Sequence, residues 1–329
     1  MTKHCDFCTE IALPADIRQI ANHIAVSENP DNHGNTLPTP STLALRGLNA
    51  LPEDAAGVAR MVDGPGRIFF EAGKTWKNGR VLPVYFLDHV SPGLRARIMD
   101  TASTWSKYGN IHFEETADIN KSIIRIANFA GEGHWSYLGT DALLRPKSTI
   151  TMNYDGYSIG EDTDQKEIDR VVIHEFGHAI GCPHEHFSPD VSIPWDKEKV
   201  YDYYLRTQGW SRAEVDSQVL RKYEYDQVSL MTQYDPKSIM HYAVPADILL
   251  DESRAIAWNT KLSLGDQIGV AAMYPYAPGQ APSTPQFTST ALNKLLEKDV
   301  VAIAKSAGLD ASVKDRKADT IARILETQA

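Results

Sequence analysis

The chain has 329 residues, of which 42% are hydrophobic and 23% charged, ordinary proportions for a globular protein. This length allows one large domain or one domain with small appendages. The formal net charge of -10 argues against nonspecific nucleic-acid binding, and no stretch approaches the roughly 18 apolar residues of a membrane span. We therefore expect neither a nucleic acid nor a membrane as a partner, and we take a monomer as the default oligomeric state.

The N-terminal region predicts little regular structure. A short helical pattern covers residues 15–26, and the turn-rich run at 28–40 is typical of a linker or a mobile arm, because it contains three prolines and almost no apolar residues. A second short helix is predicted at 53–61. Cys5 and Cys8 have the spacing of half a zinc knuckle or of a redox pair, a weak signal without partners.

From residue 74 the pattern changes to strands and helices. Apolar periodicity predicts a strand at 81–86, a helix at 92–108, strands at 111–114 and 122–127, and surface helices at 195–210 and 211–223. Residues 147–154 alternate like a further strand, before the helix predicted at 164–180.

The predicted helix at residues 164–180 carries the strongest chemical signal in the sequence. Asp164 with Glu167 three residues later resembles a capping box, which would start the helix. His174 and His178 are four residues apart, so they share one helix face and can bind the same metal ion.

The residues after His174 predict a catalytic metal site. Glu175 points past the ion toward a water in the open fourth position, where a carboxylate can act as general base. Gly181 follows the helix, where a positive φ lets the chain reverse and brings His184 back to the metal. Three neutral imidazoles leave the ion doubly charged and one position open.

Two further points concern the metal. Cys182 lies inside the motif, but we expect a small buried thiol there rather than a ligand. Sites of three histidines also accept other divalent ions, so zinc is an expectation rather than a deduction.

Four sequence segments resemble a known family. The pattern HExxHxxGxxH resembles the signature of the metzincin zinc peptidases, for which a Met-turn is expected downstream. Residues 238–242, SIMHY, resemble the SxMHY Met-turn of the astacin family. Residues 134–139 resemble its CWSYxG segment, with histidine in place of the first cysteine, and residues 262–274 resemble its final helix. The four segments follow one another along the chain in the family's order, and the resemblance covers roughly residues 74–276.

The resemblance implies an α+β, metzincin-like fold. A mixed twisted sheet and the active-site helix would form an N-terminal subdomain, followed by a mostly irregular and helical C-terminal subdomain. We divide the chain into an N-terminal arm at 1–66, which is a candidate inhibitory or pro-like segment, an astacin-like catalytic domain at 67–276, a proline-rich linker at 277–288 and a small helical module at 289–329.

The resemblance also implies a zinc-dependent endopeptidase that hydrolyses peptide bonds in proteins or peptides. One catalytic Zn²⁺ is expected, bound by His174, His178 and His184. Tyr242 would help hold the oxyanion, Met240 would pack beneath the zinc, and Glu185 would make a supporting salt bridge.

The substrate is expected to pair with an edge strand. In the metzincin arrangement the strand before the active-site helix borders the cleft, and an extended peptide adds to it through main-chain hydrogen bonds. The sequence places this strand at 147–154, so the predicted substrate-binding residues are Ser148, Thr149, Ile150, Thr151, Met152 and Asn153.

Many metzincins carry a segment that lies across the cleft and places an aspartate or a cysteine on the zinc. The candidates for such a latch are Cys5, Cys8 and Asp63, although Asp63 precedes Gly64 where the astacin latch usually has glycine first. An ordinary surface arm is the competing interpretation.

Cysteine content bears on localisation. Extracellular astacins usually have two disulfides in the catalytic domain, and Cys182 alone there forms neither. The N-terminus also lacks the apolar core of a secretory signal. We expect either a cytoplasmic location or secretion without a classical leader.

Two other classes of function stay open. A zinc-bound pseudopeptidase that recruits a partner is disfavoured by Glu175, since a binding protein needs no general base. The other class is an adaptor that acts through the C-terminal helices at 292–307 and 316–325. Lysine and arginine there only balance the acidic residues, which disfavours nucleic-acid binding.

Overall fold

The structure is a computed structural model, which describes residues 8–11, 13, 17–32, 70–71, 73–155, 159–224, 227–230, 234–277, 280, 309, 312 and 316–326. The strands β1 to β8 are, in chain order, Cys8–Ile11, Phe70–Glu71, Val81–Phe86, His112–Glu115, Ile124–Ala127, His134–Tyr137, Met152–Asn153 and Val228–Leu230. The helices α1 to α7 are Arg18–Glu28, Pro92–Ala102, Gln165–Ala179, Lys197–Gln208, Arg212–Val215, Leu264–Met273 and Lys317–Glu326. None of these helices has the length and apolar character needed to cross a membrane.

A mixed six-stranded sheet forms the larger part of the described fold. Its strand order is β1-β6-β7-β5-β3-β4, and β2 pairs with β8 in a separate two-stranded sheet. Strand β6 is antiparallel to β7, whereas β1 runs parallel to β6 and the remaining neighbours are parallel to one another. The helix α3 packs beside β6 and against α2. The predicted mixed sheet with an adjoining active-site helix is therefore confirmed.

The core lies between this sheet and the helices α2 and α3. In β3 the side chains alternate, so that Leu82 and Val84 are fully buried. Phe113 of β4 meets Phe176 of α3 edge to face, with ring centroids 4.7 Å apart. Burying a side chain of this size contributes about 1.5–3 kcal/mol. The same contacts that stabilise the sheet therefore fix the position of α3.

The helix predicted at 92–108 ends earlier in the structure. It begins after Ser91, whose hydroxyl accepts the amide of Leu94, and ends at Ala102. The hydroxyl of Ser103 donates to the carbonyl of Met99 at 2.8 Å, a local bond that competes with continued helix. A separate 3-10 turn follows at Trp105–Lys107.

The prediction of an edge strand at 147–154 is wrong. Only Met152–Asn153 forms a strand, and β7 lies between β6 and β5, inside the sheet. The buried guanidinium of Arg125 donates to the carbonyls of Thr149 at 2.5 Å and Arg145 at 3.3 Å. These carbonyls bond a side chain instead of a neighbouring strand, so the preceding segment turns. On the side of β7 that faces away from β5 lies β6, and β1 pairs with β6.

The expectation of a linker from residue 28 is also wrong where the structure describes it, at residues 28–32. Asn29 and Asn32 are buried, each only 6% exposed. The amide of Asn32 donates to the carbonyl of Thr75 at 2.7 Å, and the amide of Asn29 donates to the carbonyl of Trp76 at 3.0 Å. These bonds attach the end of α1 to the domain.

Other predictions divide between confirmed elements and positions that the structure does not describe. The helices at 15–26, 164–180, 262–274 and 316–325 are confirmed as α1, α3, α6 and α7, with small shifts of their ends. The helices predicted at 53–61 and 292–307 lie outside the described residues.

Two side chains fix the C-terminal end of α3. The indole of Trp76 donates to the carbonyl of Ala179 at 2.7 Å, and the hydroxyl of Tyr274 donates to the carbonyl of Ile180 at 2.6 Å. The Tyr274 oxygen also accepts the backbone amide of Trp76 at 3.2 Å. Carbonyls at a helix end lack partners within the helix, so these bonds satisfy them and set where the chain leaves it.

We expect Tyr274→Phe to lower the free energy of unfolding by about 1–3 kcal/mol, because it leaves a buried carbonyl and a buried amide without partners. Urea unfolding measures this change. Tyr276→Phe is the control, since that hydroxyl bonds the carbonyl of Ser106 in a more exposed setting. An equal loss in both variants would contradict the helix-end role of Tyr274.

Candidate metal centre

The helix α3 carries the first two predicted ligands. Its cap is Asp164, whose carboxylate accepts the amide of Lys166 at 2.8 Å. The second half of the predicted capping box is absent, because Glu167 instead makes bonds of 2.8 and 2.5 Å to the guanidinium of Arg170. The inner face of the helix is buried from Ile168 onward. A rigid, buried helix thus places the histidine pair.

Hydrogen bonds orient the imidazoles of His174 and His178. Nδ1 of His174 donates to the carbonyl of Ile239 at 2.7 Å, and Nδ1 of His178 donates to the carbonyl of Cys182 at 2.8 Å. A carbonyl only accepts, so Nδ1 carries the proton and Nε2 of each neutral ring has a lone pair. Backbone partners of this kind are typical of histidines that bind metals.

The turn predicted at Gly181 brings the third histidine to the first two. Gly181 has a φ of 102°, and the amide of Cys182 returns to the carbonyl of Gly177 at 3.0 Å. His184, fully buried, then lies with its ring centroid 4.5 Å from that of His178 and 5.2 Å from that of His174. The predicted reversal is therefore confirmed.

The three imidazoles fit a metal ion. Nε2 of His178 and Nε2 of His184 are 3.1 Å apart, and Nε2 of His174 is buried without a hydrogen-bond partner. Nitrogens bound to one tetrahedral zinc ion at about 2.0–2.1 Å would lie about 3.3 Å apart. A cation between the rings would replace the hydrogen-bond contact of His178 and His184 with two coordinate bonds.

Electrostatics keep these rings ready to bind a cation. Burial lowers the pKa of His174 and of His184 well below the usual value, and the neighbouring imidazoles lower it further. Both rings are therefore neutral at physiological pH, and a metal does not have to displace protons from them.

A thiol joins the three histidines. The sulfur of Cys8 lies 3.3 Å from Nε2 of His178, and the ligand atoms of Cys8, His174, His178 and His184 all lie within 4.8 Å of one another. Cys182 is not part of this group and is buried, as predicted. Of the other latch candidates, Cys5 and Asp63 lie outside the described residues.

Glu175 lies beside this group. It is 1% exposed, and burial raises its pKa to about 8, although a hydrogen bond from Cys8 and the charge of Arg170 oppose this rise. Its Oε2 has no hydrogen-bond partner. A cavity of about 10 Å³ adjoins Cys8, His174 and Glu175, which is room for about one water molecule. The carboxylate is therefore placed to act on a water beside the metal position.

The predicted Met-turn lies against α3. Met240 is fully buried, and a Cβ on Gly177 would overlap its sulfur and come within 3.0 Å of Trp105. The glycine thus permits a close approach of the turn to the helix. Beside Met240, the carbonyl of Ile239 accepts the Nδ1 proton of His174 at 2.7 Å. The Met-turn therefore both supports and orients the site.

Asp266 holds the Met-turn in place. Its carboxylate accepts the hydroxyl of Ser238 at 2.7 Å, the amide of Ile239 at 2.8 Å and the amide of Ser263 at 2.8 Å. Asp266 lies in the first turn of α6 and forms a capping box with Ser263. One carboxylate thus joins the start of α6 to the loop that orients His174. The sequence contains the capping pattern S-x-x-D, but spacing gives no hint of the contact with the turn.

Aromatic rings surround the third histidine. The ring of Tyr242 is centred 4.3 Å from that of His184 and 4.4 Å from that of His186. His186 donates Nε2–H to the carbonyl of Gln218 at 3.2 Å and lies outside the metal-binding group. The ring of Tyr242 therefore lies beside the metal position. The ring of His186 lies next to that of His184, with centroids 5.3 Å apart.

The supporting salt bridge expected for Glu185 is replaced by a backbone contact. In the part of the chain that the structure describes, its carboxylate accepts the amide of Asp235 at 2.9 Å and makes no ion pair. Its own amide donates to the carbonyl of Met240 at 2.9 Å. Glu185 thus connects the segment after His184 to the Met-turn without a charged partner.

The predicted substrate residues are not members of the group that could hold a metal. Ser148, Thr149 and Ile150 lie in the turn held by Arg125, and Thr151 to Asn153 lead into the interior strand β7. Because β7 lies between β6 and β5, these residues do not line an open edge of the sheet.

The fold and the site define a class of protein. A mixed sheet beside a helix with HExxH, a glycine turn, a third histidine and a buried Met-turn are the features of metzincin metallopeptidases. The family model described as Astacin (Peptidase family M12A) matches residues 70–271, more than half of the chain. The chain belongs to the astacin family.

Several known proteins are similar to it. The zinc metalloproteinase nas-36 of Haemonchus contortus is 28% identical over 183 residues, 55% of this chain and 26% of that protein. The zinc metalloproteinase nas-13 of Caenorhabditis elegans is 25% identical over 232 residues, 70% of this chain and 46% of that protein. The chain thus spans less than half the length of these relatives. A solved structure of myroilysin is 36% identical, with a TM-score of 0.60, and the match covers 63% of this chain and 98% of that one.

We expect Asp266→Asn to weaken zinc binding by about tenfold, because groups that orient a ligand typically contribute 10–100-fold to metal affinity. An amide has one acceptor oxygen and would place N–H groups against backbone N–H donors. Competition with a fluorescent chelator measures the affinity. Asp251→Asn, at an exposed turn, is the control that should leave affinity unchanged. Equal affinity in the wild type and Asp266→Asn would show that the turn does not depend on this carboxylate.

Proposed function

We propose that this chain is a zinc-dependent endopeptidase that hydrolyses peptide bonds in proteins or peptides. The observation that carries the proposal is the convergence of three buried imidazoles beside a buried carboxylate, in the order HExxHxxGxxH. A purely structural zinc site would need no general base. Membership of the astacin family and the names of the zinc metalloproteinase relatives support the same activity.

One zinc ion would be held by Nε2 of His174, His178 and His184. When bound, the ion supplies Lewis-acid chemistry, because it polarises the peptide carbonyl and lowers the pKa of the attacking water. The protein contributes the tautomers, since backbone carbonyls keep the protons on Nδ1 of the first two rings. The positive charge of the bound ion would also offset part of the free energy that burying the Glu175 carboxylate costs.

Glu175 is assigned the role of general base and then general acid. Its carboxylate would take a proton from the attacking water and pass it to the nitrogen of the leaving amine. Burial raises its pKa, and that makes the carboxylate a stronger proton acceptor.

Tyr242 is assigned to the oxyanion. Its ring lies against that of His184 within a buried, low-dielectric environment, which supports this role. A hydroxyl there donates a hydrogen bond to the negative charge that develops on the carbonyl oxygen.

Substrate would pair with β6 rather than with residues 148–153. In the described sheet β6 lies next to the active-site helix, and its far side pairs with β1, so an extended peptide would take the place of β1 there. Alternate side chains of such a peptide would then face the site.

Glu175→Gln tests the function most simply. We expect this variant to keep its zinc and to lose at least about 10²-fold of its peptidase rate, the lower range for a lost general base. Cleavage of a diverse peptide library, read by mass spectrometry, gives the rate, and elemental analysis gives the zinc. Glu167→Gln, on the same helix but paired with Arg170, is the control. Equal cleavage by the wild type and Glu175→Gln would exclude the proposed mechanism.

Tyr242→Phe should reduce kcat by about 10–10³-fold with little change in KM, since an oxyanion donor acts in the transition state. Tyr234→Phe is the matched control, because that hydroxyl contacts His241 at 2.8 Å rather than the metal group. A purely structural Tyr242 would leave kcat unchanged once the folded fraction is taken into account.

A further inference from the structure

Three basic side chains lie together beside the end of β6, and we name Arg125, Arg145 and Lys147 the basic cluster. The guanidinium of Arg145 lies over the ring of Tyr137, 5.3 Å from its centroid. The guanidinium of Arg125 donates to the carbonyl of Arg145 at 3.3 Å. Burial lowers the pKa of Arg125, and the charge of Arg145 lowers it further. Burial and then the charge of Arg125 lower the pKa of Lys147 in the same way. The three charges are therefore close enough to repel one another.

No acidic side chain balances the basic cluster. Among the residues that the structure describes, none of its three members forms an ion pair. Arg125 and Lys147 donate to backbone carbonyls instead, those of Thr149 and Ser122 among them. Nε of Arg145 is buried and has no hydrogen-bond partner. A buried donor without an acceptor costs free energy, so an anion that reached Arg145 would be stabilised there.

The pairing of β6 shows which residue of a substrate would reach Arg145. Tyr137 pairs with Ile11 of β1, and paired residues of neighbouring strands, about 4.8 Å apart, project their side chains to the same face of a sheet. Ile11 packs against the main hydrophobic core, so a side chain at this position lies against the protein. A peptide that takes the place of β1 would therefore put one side chain beside Tyr137 and Arg145.

This position lies at a fixed distance from the metal centre. His134 pairs with Cys8, whose sulfur lies 3.3 Å from Nε2 of His178. Tyr137 follows His134 by three residues, which is about 10 Å along a strand. The side chain beside Tyr137 would thus belong to a residue three positions from the one that pairs with His134.

The surroundings of Arg145 suit a carboxylate. The rings of Tyr137 and Trp135 meet edge to face with centroids 6.0 Å apart, and Tyr137 is buried. The aromatic ring beneath the guanidinium restricts its orientation, and a guanidinium can bind both oxygens of a carboxylate at once. Lys147 is exposed and adds a second positive charge on the solvent side. A glutamine side chain has nearly the same size but no charge to match.

We propose that the basic cluster is a substrate subsite, in which Arg145 selects a glutamate or aspartate three positions from the residue that pairs with His134. The proposal rests on the proposed peptidase function and on pairing of the substrate with β6. Binding can be measured without cleavage, so the two claims are tested separately.

Fluorescence anisotropy with the zinc-loaded full-length Glu175→Gln variant measures binding alone. The probes are labelled ten-residue peptides of alternating threonine and valine, in which one glutamate is moved position by position, and a matched series with glutamine. A hydrogen bond to a charged group strengthens binding by about tenfold, so in one register the glutamate peptide should bind about tenfold more tightly than its glutamine partner. Adding Arg145→Gln should bring this ratio close to one, and Arg145→Glu should reverse the preference.

Arg95→Gln is the matched control and should keep the full ratio, because Arg95 lies on α2 and pairs with Glu115 at 2.9 Å. Should Arg145→Gln fail to fold, Arg145→Lys keeps a charge but not the planar fork, and it should lower the ratio to about threefold. Equal binding of the two series by the parent protein, no binding of either series, or a ratio that survives in the folded Arg145 variants would overturn the subsite.

Cleavage of the same peptide pairs by the zinc-loaded chain with Glu175 intact separates the subsite from the peptidase function. We expect kcat/KM to favour the glutamate peptide by the ratio that binding shows. A glutamate preference in binding without any cleavage would retain the subsite and reject the peptidase function. Cleavage without a preference in either measurement would retain the peptidase function and reject the subsite.

Discussion

Nε2 of His178 and Nε2 of His184 lie 3.1 Å apart inside a fully buried space. Nε2 of His178 is an acceptor, since a backbone carbonyl holds the proton of that ring on Nδ1, and Nε2 of His184 faces it within hydrogen-bond distance. A cation bound by both nitrogens takes the place of this hydrogen bond and requires the proton of the His184 ring on Nδ1. The surrounding structure therefore has to hold the rings so that these nitrogens converge.

Three independent constraints hold these rings. The helix α3 is fixed by the core contact between Phe113 and Phe176 and by the hydrogen bonds at the C-terminal end of the helix. The positive φ of Gly181 sets the return of the chain to the site. Asp266 fixes the Met-turn, whose carbonyl at Ile239 orients His174. Each constraint comes from a different part of the sequence, so the site forms only when the domain has folded.

The parts of the site that are local in sequence could be predicted. His174, Glu175, His178, Gly181 and His184 lie within eleven residues, and helical spacing with one glycine turn determines their relation. The main helices and strands follow from apolar periodicity in the same way. The structure confirms both, because neither depends on a distant contact.

The parts that depend on distant contacts were missed or misplaced. The alternation at 147–154 predicts an edge strand, but bonds from Arg125 turn the chain there and β6 takes that place. The prolines after residue 28 indicate a linker, yet two asparagines bury their amides against Thr75 and Trp76. The sequence gives Cys8 no preference over Cys5 and Asp63 as a latch candidate, since spacing does not reveal the pairing of β1 with β6. Long-range pairing is set by competition among whole elements, which a single sequence does not reveal.

X-ray diffraction from crystals of the zinc-loaded full chain, recorded at the zinc absorption edge, tests the central claim most directly. We predict one anomalous peak at about 2.0–2.1 Å from Nε2 of His174, His178 and His184. A peak bound by other side chains, or no peak in a zinc-loaded crystal, would contradict the three-histidine centre on which this account depends.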